Sequence, residues 1–203
     1  MKKLLAVLVS VIMVLAMCTA CGSGGSGQGA AGSDVETEFT PVGSSLAIMG
    51  SVTNNSDEAV AATVTVYWFD ELNEQLGYSV AEFPYIEGTD TVFDVFDFGE
   101  MYDTYDYDIQ TAPVTDEARA FYDNLTIESS MDDSGKVDFI VGGGNGEKFK
   151  SDVVIVYTDE NDNPVDYQSK TVKGEGTATG TFKGTKNDKC IGYRMNMIPK
   201  GLM

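Results

Sequence analysis

The sequence repeats itself, and this duplication restricts the possible fold more than any other feature. When the chain is displaced by 89 residues, TVTVYWFDELNEQLGY at 63–78 falls on DVVIVYTDENDNPVDY at 152–167 without a gap. Identical residues meet at Val64 and Val153, Asp70 and Asp159, Glu71 and Glu160, and Tyr78 and Tyr167. Because apolar residues also meet apolar residues elsewhere in the alignment, the sequence predicts two copies of one module.

Each copy has the two-residue alternation of β-strands. Val64, Val66 and Trp68 alternate with Thr65 and Tyr67, and both faces of this run are largely apolar in each copy, which is typical of a central strand. Turn-rich segments separate the runs at short intervals, namely TNNSDE, GGGNGE and VKGEGTATG. Short strands with frequent turns predict an all-β fold in the form of small antiparallel sandwiches.

One helix is predicted between the copies, in PVTDEARAFYDNL at 113–125. Its apolar residues recur near helical spacing at Val114, Ala118, Phe121 and Leu125. Thr115 can cap the N-terminus, and two acidic residues follow in the first turn, where the helix dipole favours them. We expect a short connecting helix within a linker at 113–130.

The turn and strand motifs of the first copy are similar to those of a known module. An early strand followed by NNSDEAV, a longer strand ending in YWFDELNEQLGY and a late YDYDI strand resemble FxLYD-type modules. Those modules are Ig-like β-sandwich domains of secreted lipoproteins in Gram-positive bacteria. The resemblance extends to the second copy, where GGGNG replaces the Asn-Asn-Ser turn. It implies two tandem small Ig-like antiparallel β-sandwich modules, at 36–112 and 131–203, with no general catalytic role.

The N-terminal residues follow the order of regions that is typical of an export signal. Lys2 and Lys3 precede an apolar run at 4–17 that is too short to span a bilayer comfortably, and small residues then lead to Cys21. This order resembles the lipobox of bacterial lipoproteins, in which the cysteine is acylated with fatty acids such as palmitate and becomes the mature N-terminus. The resemblance implies a signal peptide at 1–20 and a partner membrane that holds the protein on its extracytoplasmic face.

Two cysteines compete for the acylated position, and the residue before each decides between them. Met17 before Cys18 is large, whereas Ala20 before Cys21 is small, so we assign lipidation to Cys21. Residues 22–33 are almost wholly Gly, Ser, Ala and Gln, which lack apolar surface to pack. We expect 21–35 to be the lipidated cysteine and a flexible tether.

Charge is distributed unevenly between the two copies. No lysine or arginine occurs between Lys3 and Arg119, whereas residues 34–108 carry seventeen carboxylates. From residue 121 onward, ten basic residues accompany thirteen acidic ones. The acidic half would be repelled by nucleic acid and by anionic lipid, so nucleic acid is excluded as its partner.

Two segments look like ligand-binding loops and are better explained as turns. DENDNPVDY at 159–167 begins like a calcium loop, but Pro164 and Lys170 occupy the positions where an EF-hand needs glycine and glutamate. The other copy has DELNE at the same place, so a shared hairpin turn is predicted for both. GGGNGEK at 142–148 lacks the spacing of a phosphate-binding loop, and its glycines are expected to supply positive φ angles. No metal or other cofactor is predicted.

The most distinctive stretch is FDVFDFGEMYDTYDYD at 93–108, which interleaves aromatic and acidic residues. The favoured interpretation is two edge or near-edge strands with the aromatic side chains inward and the carboxylates outward. The same residues are the best candidate for an interaction surface: Tyr102, Tyr105, Tyr107, Asp103, Asp106 and Asp108. Alternatives are a divalent-cation site or a sugar-binding face formed by the tyrosines.

Catalysis has little support in the residues available. Histidine is absent from the sequence, so Cys190 lacks the usual activating base, and no pair of carboxylates is distinguished as a hydrolytic pair among thirty-two acidic residues. We therefore expect a non-catalytic cell-surface lipoprotein that acts in binding, adhesion or spacing, with an envelope or extracellular protein or a glycan as its partner. The alternatives are a calcium-assisted adhesin or carbohydrate-binding protein, and an envelope hydrolase.

Overall fold

The structure, a computed structural model, describes residues 34–43, 46–143, 146–187 and 189–203. Within these residues the first half of the chain forms β1 (Val35–Pro41), β2 (Ala47–Asn54), β3 (Val60–Phe69), β4 (Gln75–Ile86), β5 (Thr91–Asp97) and β6 (Thr104–Pro113). A short helix α1 (Asp116–Tyr122) follows. The second half forms β7 (Thr126–Met131), β8 (Val137–Gly142), β9 (Lys148–Thr158), β10 (Pro164–Glu175), β11 (Thr177–Phe182) and β12 (Gly192–Pro199).

All the strand pairs are antiparallel, and the predicted all-β sandwich architecture is confirmed. In the first half, the sheet β1-β2-β5 and the sheet β4-β3-β6 enclose one core. In the second half, the order is β12-β9-β10-β11-β8-β7, in which β10 and β11 pair only between Glu175 and Thr177. The second sheet therefore folds at that point into two three-stranded halves, and both halves contribute to a second core. We call the two sandwiches module 1 and module 2.

The strand positions repeat with the displacement found in the sequence. The bounds of β4 and β10 are separated by 89 residues at both ends, and β3 and β9 end 89 residues apart. Val64, Val66 and Trp68 of β3 point into the core of module 1, and their counterparts Val153, Ile155 and Tyr157 of β9 point into the core of module 2. The duplication inferred from the sequence is thus a repeated β architecture.

The helix forms where it was expected. Thr115 is its N-cap, and the Thr115 hydroxyl accepts a hydrogen bond from the Ala118 amide at 3.1 Å. Phe121 is buried in the second core, where its ring lies against Gly143 so closely that a Cβ there would be 2.7 Å from it. Strand β7 begins inside the segment assigned to the linker and pairs along the whole length of β8.

The two modules pack against each other through one sheet face of each. Val154, Val156 and Ile198 belong to module 2, yet they are buried in the core cluster of module 1. Successive residues of β9 therefore face two different cores, which explains why both faces of that strand are apolar. The modules form a single packed body along this interface.

One turn residue carries backbone strain that a substitution should relieve. Thr89 lies between β4 and β5 with φ of +65°, a left-handed conformation that β-branched residues rarely adopt. Its side chain is exposed, so nothing in the core holds it. We expect Thr89→Gly to raise the free energy of unfolding by roughly 0.5 to 1 kcal/mol, after allowance for the greater freedom of glycine in the unfolded chain.

Denaturant unfolding measures this change, with Thr89→Ala as the matched control. Alanine keeps the Cβ that causes the strain, so it should give no comparable gain. An equal gain from both substitutions would show that the effect comes from the lost threonine side chain and not from the backbone conformation.

Candidate functional site

The acidic aromatic segment at 93–108 is divided between two sheets. Strand β5 is an edge strand of β1-β2-β5, and β6 is an edge strand of β4-β3-β6. The rings of the segment pack on one another and on Phe39: the ring centroid of Phe39 lies 4.7 Å from that of Tyr107 and 5.5 Å from that of Tyr105, and Tyr102 meets Phe98 edge-on at 4.6 Å. Burial raises the pKa of Tyr102 and Tyr105, so both hydroxyls remain protonated and able to donate hydrogen bonds.

The three carboxylates predicted for the contact surface, Asp103, Asp106 and Asp108, are exposed to solvent. Asp106 and Asp108 are exposed on β6 beside Tyr67 and Thr65 of β3, on the outer face of the sheet. Asp108 accepts a hydrogen bond from the Gln110 side chain at 2.9 Å, and Asp103 lies in the turn before β6. The structure therefore separates the predicted set into half-buried Tyr102 and Tyr107, a Tyr105 that is 37% exposed although its ring contacts Phe39, and carboxylates that face solvent.

Within the described ranges, no group of three or more His, Cys, Asp or Glu side chains lies close enough together to hold a metal ion. The alternation along β6 spreads the carboxylates over the length of the strand, whereas calcium needs six to eight oxygen ligands around one point. The arrangement suits diffuse attraction of positive charge.

The first five residues of DENDNPVDY, 159–163, form the hairpin turn between β9 and β10. One carboxylate oxygen of Asp159 accepts hydrogen bonds from the backbone amides of Asn161 and Asn163, both at 2.9 Å. These bonds and the Asn163 side chain hold the pKa of Asp159 below its ordinary value. The Asp70 carboxylate accepts hydrogen bonds in the same way from the backbone amides of Leu72 and Glu74, at 2.9 and 2.8 Å. The aspartate stabilises a turn present in both modules.

The glycine-rich segment after β8 is followed by a strand. Gly146 has φ of +88°, as expected of a glycine placed for its backbone conformation. Residues from Lys148 onward form β9, whereas a phosphate-binding loop is followed by a helix whose N-terminus faces the phosphate.

Cys190 is partly buried near the start of β12. Its thiol lies 3.5 Å from the Gly192 carbonyl oxygen, which can accept its hydrogen bond, and burial raises its pKa. A thiol that stays protonated is a poor nucleophile, so this residue has the character of a packing side chain.

Two open hollows lie on module 2. The larger, about 580 Å³, lies beside α1 and is lined by Phe121, Phe149 and three lysines among other residues. The smaller, about 460 Å³, contains the carboxylates Glu128 and Asp138. Hydrogen bonds from Lys136 and Thr181 hold the pKa of Asp138 below its usual range, whereas a glycosidase needs a carboxyl group with a raised pKa as its acid.

The interface between the modules contains a carboxyl group, that of Asp94, whose pKa is raised. Burial raises the pKa of Asp94 from 3.8 to about 6, while Lys200 lowers it and Asp152 raises it further. Lys200 and Asp152 form an ion pair at 2.8 Å. Nearby, the Tyr167 hydroxyl of module 2 donates a hydrogen bond to Asp97 of module 1.

One surface was not singled out from the sequence. Tyr67 and Tyr78 are cross-strand partners on the outer face of β4-β3-β6, with ring centroids 6.3 Å apart. Tyr78 is 63% exposed and Val80, two residues further along β4, is 45% exposed. The alternation in β3 could have indicated this face, because Tyr67 follows the outward-pointing Thr65. Its exposure, however, depends on what packs against the sheet.

Comparison with known proteins leaves the chain without an assigned family. No family model and no curated protein matches it. Among solved structures, it is similar to red sea bream transglutaminase, with 7% identity and a TM-score of 0.29. That match covers 82% of this chain, which spans only 29% of the transglutaminase chain.

The predicted signal peptide, Cys21 and most of the tether lie outside the described residues. In the part of the chain that is described, no helix has the length and apolar character needed to cross a membrane.

Proposed function

We propose that this protein is a non-catalytic, lipid-anchored binding protein on the extracytoplasmic face of a cell membrane. Acylated Cys21 would hold the chain to the bilayer, and the Gly- and Ser-rich tether would separate the β-sandwich body from the lipid. Module 1 and module 2 would then present their surfaces to an envelope or extracellular protein.

The observation that carries the proposal is the outer face of β4-β3-β6 in module 1, where exposed Tyr78 shares a surface with Asp106 and Asp108. Tyrosine offers a large contact area and a hydroxyl donor at low entropic cost, and it is enriched at protein interfaces. The carboxylates lie beside it on a half of the chain that carries no lysine or arginine from residue 34 to residue 118. Such a surface favours association with a positively charged partner.

Fatty-acid labelling tests the anchoring part of the proposal. Cells expressing the full chain are grown with an alkyne-tagged palmitate analogue, and incorporation is compared for wild type, Cys21→Ala and Cys18→Ala. We expect Cys21→Ala to abolish labelling and to release the protein from the membrane fraction, whereas Cys18→Ala should remain labelled and anchored. Labelling that persists without Cys21 would contradict the proposal.

Cross-linking on intact cells tests the binding part. An amine-reactive reagent can reach exposed lysines of module 2 such as Lys170 and Lys173. We expect the wild-type chain to enter a discrete complex with another protein, and we expect the unanchored Cys21→Ala variant to lose it. A wild-type chain recovered solely as the uncross-linked species would contradict a binding role.

A further inference from the structure

The repeat allows the environment of one sheet face to be compared in two copies. In module 2, the outer face of β12-β9-β10 is covered by module 1, and Val154, Val156 and Ile198 on that face are 2% exposed or less. The contact also includes polar pairs: the Asn196 side chain donates to the Phe93 carbonyl at 2.7 Å, and Tyr167 donates to Asp97. This face is a protein-docking surface within the chain itself.

The equivalent face of module 1 is built on the same register. Tyr67 pairs with Tyr78 across β3 and β4, as Val156 pairs with Tyr167 across β9 and β10. Asp106 pairs with Tyr67 on the other side, where Arg194 pairs with Val156 in module 2. The docking tyrosine is therefore present in both copies, and in module 1 it is exposed to solvent.

The side chains around Tyr78 are unusual for a face that only meets water. Val80 and Leu76 on the same strand are also exposed, so the tyrosine pair lies among apolar side chains. The opposite edge of the sheet carries Asp106 and Asp108. The apolar and aromatic side chains thus lie on the edge strand β4 and the central strand β3, and the carboxylates lie on the other edge strand, β6. Protein interfaces likewise join an apolar, aromatic region to a polar rim.

Charge favours a different protein over a second copy of this chain as the occupant. If copies stacked as the two modules do, the partner's sheet β7-β8-β11 would cover this face. The outward-facing residues of that sheet include Glu128, Asp138 and several threonines, with Ile140 as an exposed apolar residue. Lys136 forms an ion pair with Asp138 at 2.8 Å, which leaves Glu128 as the uncompensated charge among these residues. That carboxylate would then meet the carboxylates of β6, and like charges oppose association.

From these observations we propose that the outer face of β4-β3-β6, centred on Tyr67, Tyr78 and Val80, docks a flat β-sheet face of another protein. The partner's face is apolar where it meets Tyr78 and Val80, and it carries lysine or arginine where it meets Asp106 and Asp108. This inference rests on the proposed binding function and names the surface and the kind of partner.

Site-specific photocross-linking in the producing cells tests this surface with the full-length anchored chain. The photoreactive amino acid p-benzoylphenylalanine replaces Tyr78 in one variant and Ile140 in a control. Ile140 is similarly exposed, but it lies on the outer face of module 2. We expect position 78 to form one discrete adduct with another protein in a yield about tenfold above position 140, because the probe would lie inside a desolvated contact.

Mass spectrometry of that adduct decides whether the partner has the expected chemistry. The cross-linked residue should lie on a β-strand with lysine or arginine on the same or the adjacent strand. Asp106→Asn combined with Asp108→Asn should lower the yield at position 78 several-fold, since those charges steer and orient the partner. Thermal unfolding of each variant confirms that the fold is retained, as expected for exposed positions.

Three results would overturn the inference. They are equal yields at positions 78 and 140, an adduct with a second copy of this chain, and an adduct on a segment without strands or without basic residues. The amine-reactive experiment on the wild-type chain separates this failure from failure of the proposed function. A complex found there without an adduct at position 78 means that the protein binds through another surface.

Discussion

Asn54→Ala is expected to lower the free energy of unfolding by about 3 kcal/mol, because it removes a buried polar hub. Asn54 is fully buried at the end of β2. Its amide nitrogen lies 2.7 Å from the Glu58 carbonyl oxygen and 3.2 Å from those of Ile86 and Glu87. Its side-chain oxygen accepts hydrogen bonds from the backbone amide and the hydroxyl of Ser56, at 3.1 and 2.8 Å. Alanine removes all of these bonds and opens a small cavity, although the Glu58 and Glu87 carbonyls each keep one other donor, the Ser56 hydroxyl and the Asp90 amide.

The neighbouring asparagine supplies a matched control. Asn55 is exposed, so Asn55→Ala should change stability by less than about 0.5 kcal/mol. Urea unfolding of both variants measures the difference, and an unchanged denaturant slope shows that the unfolded state is comparable. Similar losses from the two substitutions would refute the role given to Asn54.

The same position shows how the two modules reach one architecture by different means. At the counterpart of Asn54, 89 residues later, the chain has Gly143, and the ring of Phe121 occupies the space where a side chain would be. In module 1 this end of the sandwich is stabilised by the hydrogen bonds of Asn54, whereas in module 2 it is packed by the aromatic ring of Phe121 from α1. Stability at this end should therefore depend on Asn54 in one module and on Phe121 in the other.

Asp94→Asn is expected to stabilise the protein at neutral pH by up to about 3 kcal/mol, because the wild-type carboxylate is ionised in a largely buried site. Burial raises the pKa of Asp94 to about 6, whereas the unfolded chain has a value near 3.8. Between these values the folded state binds more protons than the unfolded state. The contribution of Asp94 to stability therefore falls as pH rises from about 4 to about 6, and it remains low above pH 6.

Unfolding free energies measured from pH 4 to pH 7 test this sign. The difference between Asp94→Asn and wild type should grow as pH rises and level off above about pH 6. Asp90→Asn is the control, because Asp90 is exposed and accepts a hydrogen bond from the next backbone amide at 2.8 Å, just as Asp94 does. A pH-independent difference for Asp94→Asn, or an equal pH-dependent difference in the control, would contradict the prediction.

Several features of the fold could be predicted because their causes are local. The alternation of Val64, Val66 and Trp68 predicts a strand with one core-facing side, and that side is buried. Asp159 predicts a hairpin turn because its carboxylate accepts hydrogen bonds from the backbone amides of Asn161 and Asn163. The capping role of Thr115 is equally local. In each case the interacting groups lie within a few residues of each other.

The candidate site was harder to predict, since alternation shows which side chains share a face without showing what covers that face. Tyr105 and Tyr107 were proposed as contact residues, and their rings lie against Phe39 on a different sheet. Tyr78 was recognised as an identical residue of the repeat, yet its exposure could not be inferred, because Tyr167 at the same position of module 2 takes part in the contact between the modules.

The sequence by itself determined the duplication, the strand character of each segment and the turns, since periodicity and turn chemistry act over a few neighbouring residues. Only the tertiary structure decided which sheet faces are covered. That outcome depends on contacts between distant residues, such as the hydrogen bond from Asn196 to Phe93 across 103 positions of the chain. Such contacts form only when two sheets pack against each other, and the local sequence pattern of a strand does not indicate which sheet will pack on it. The same strand face is therefore an internal contact in module 2 and an exposed surface in module 1.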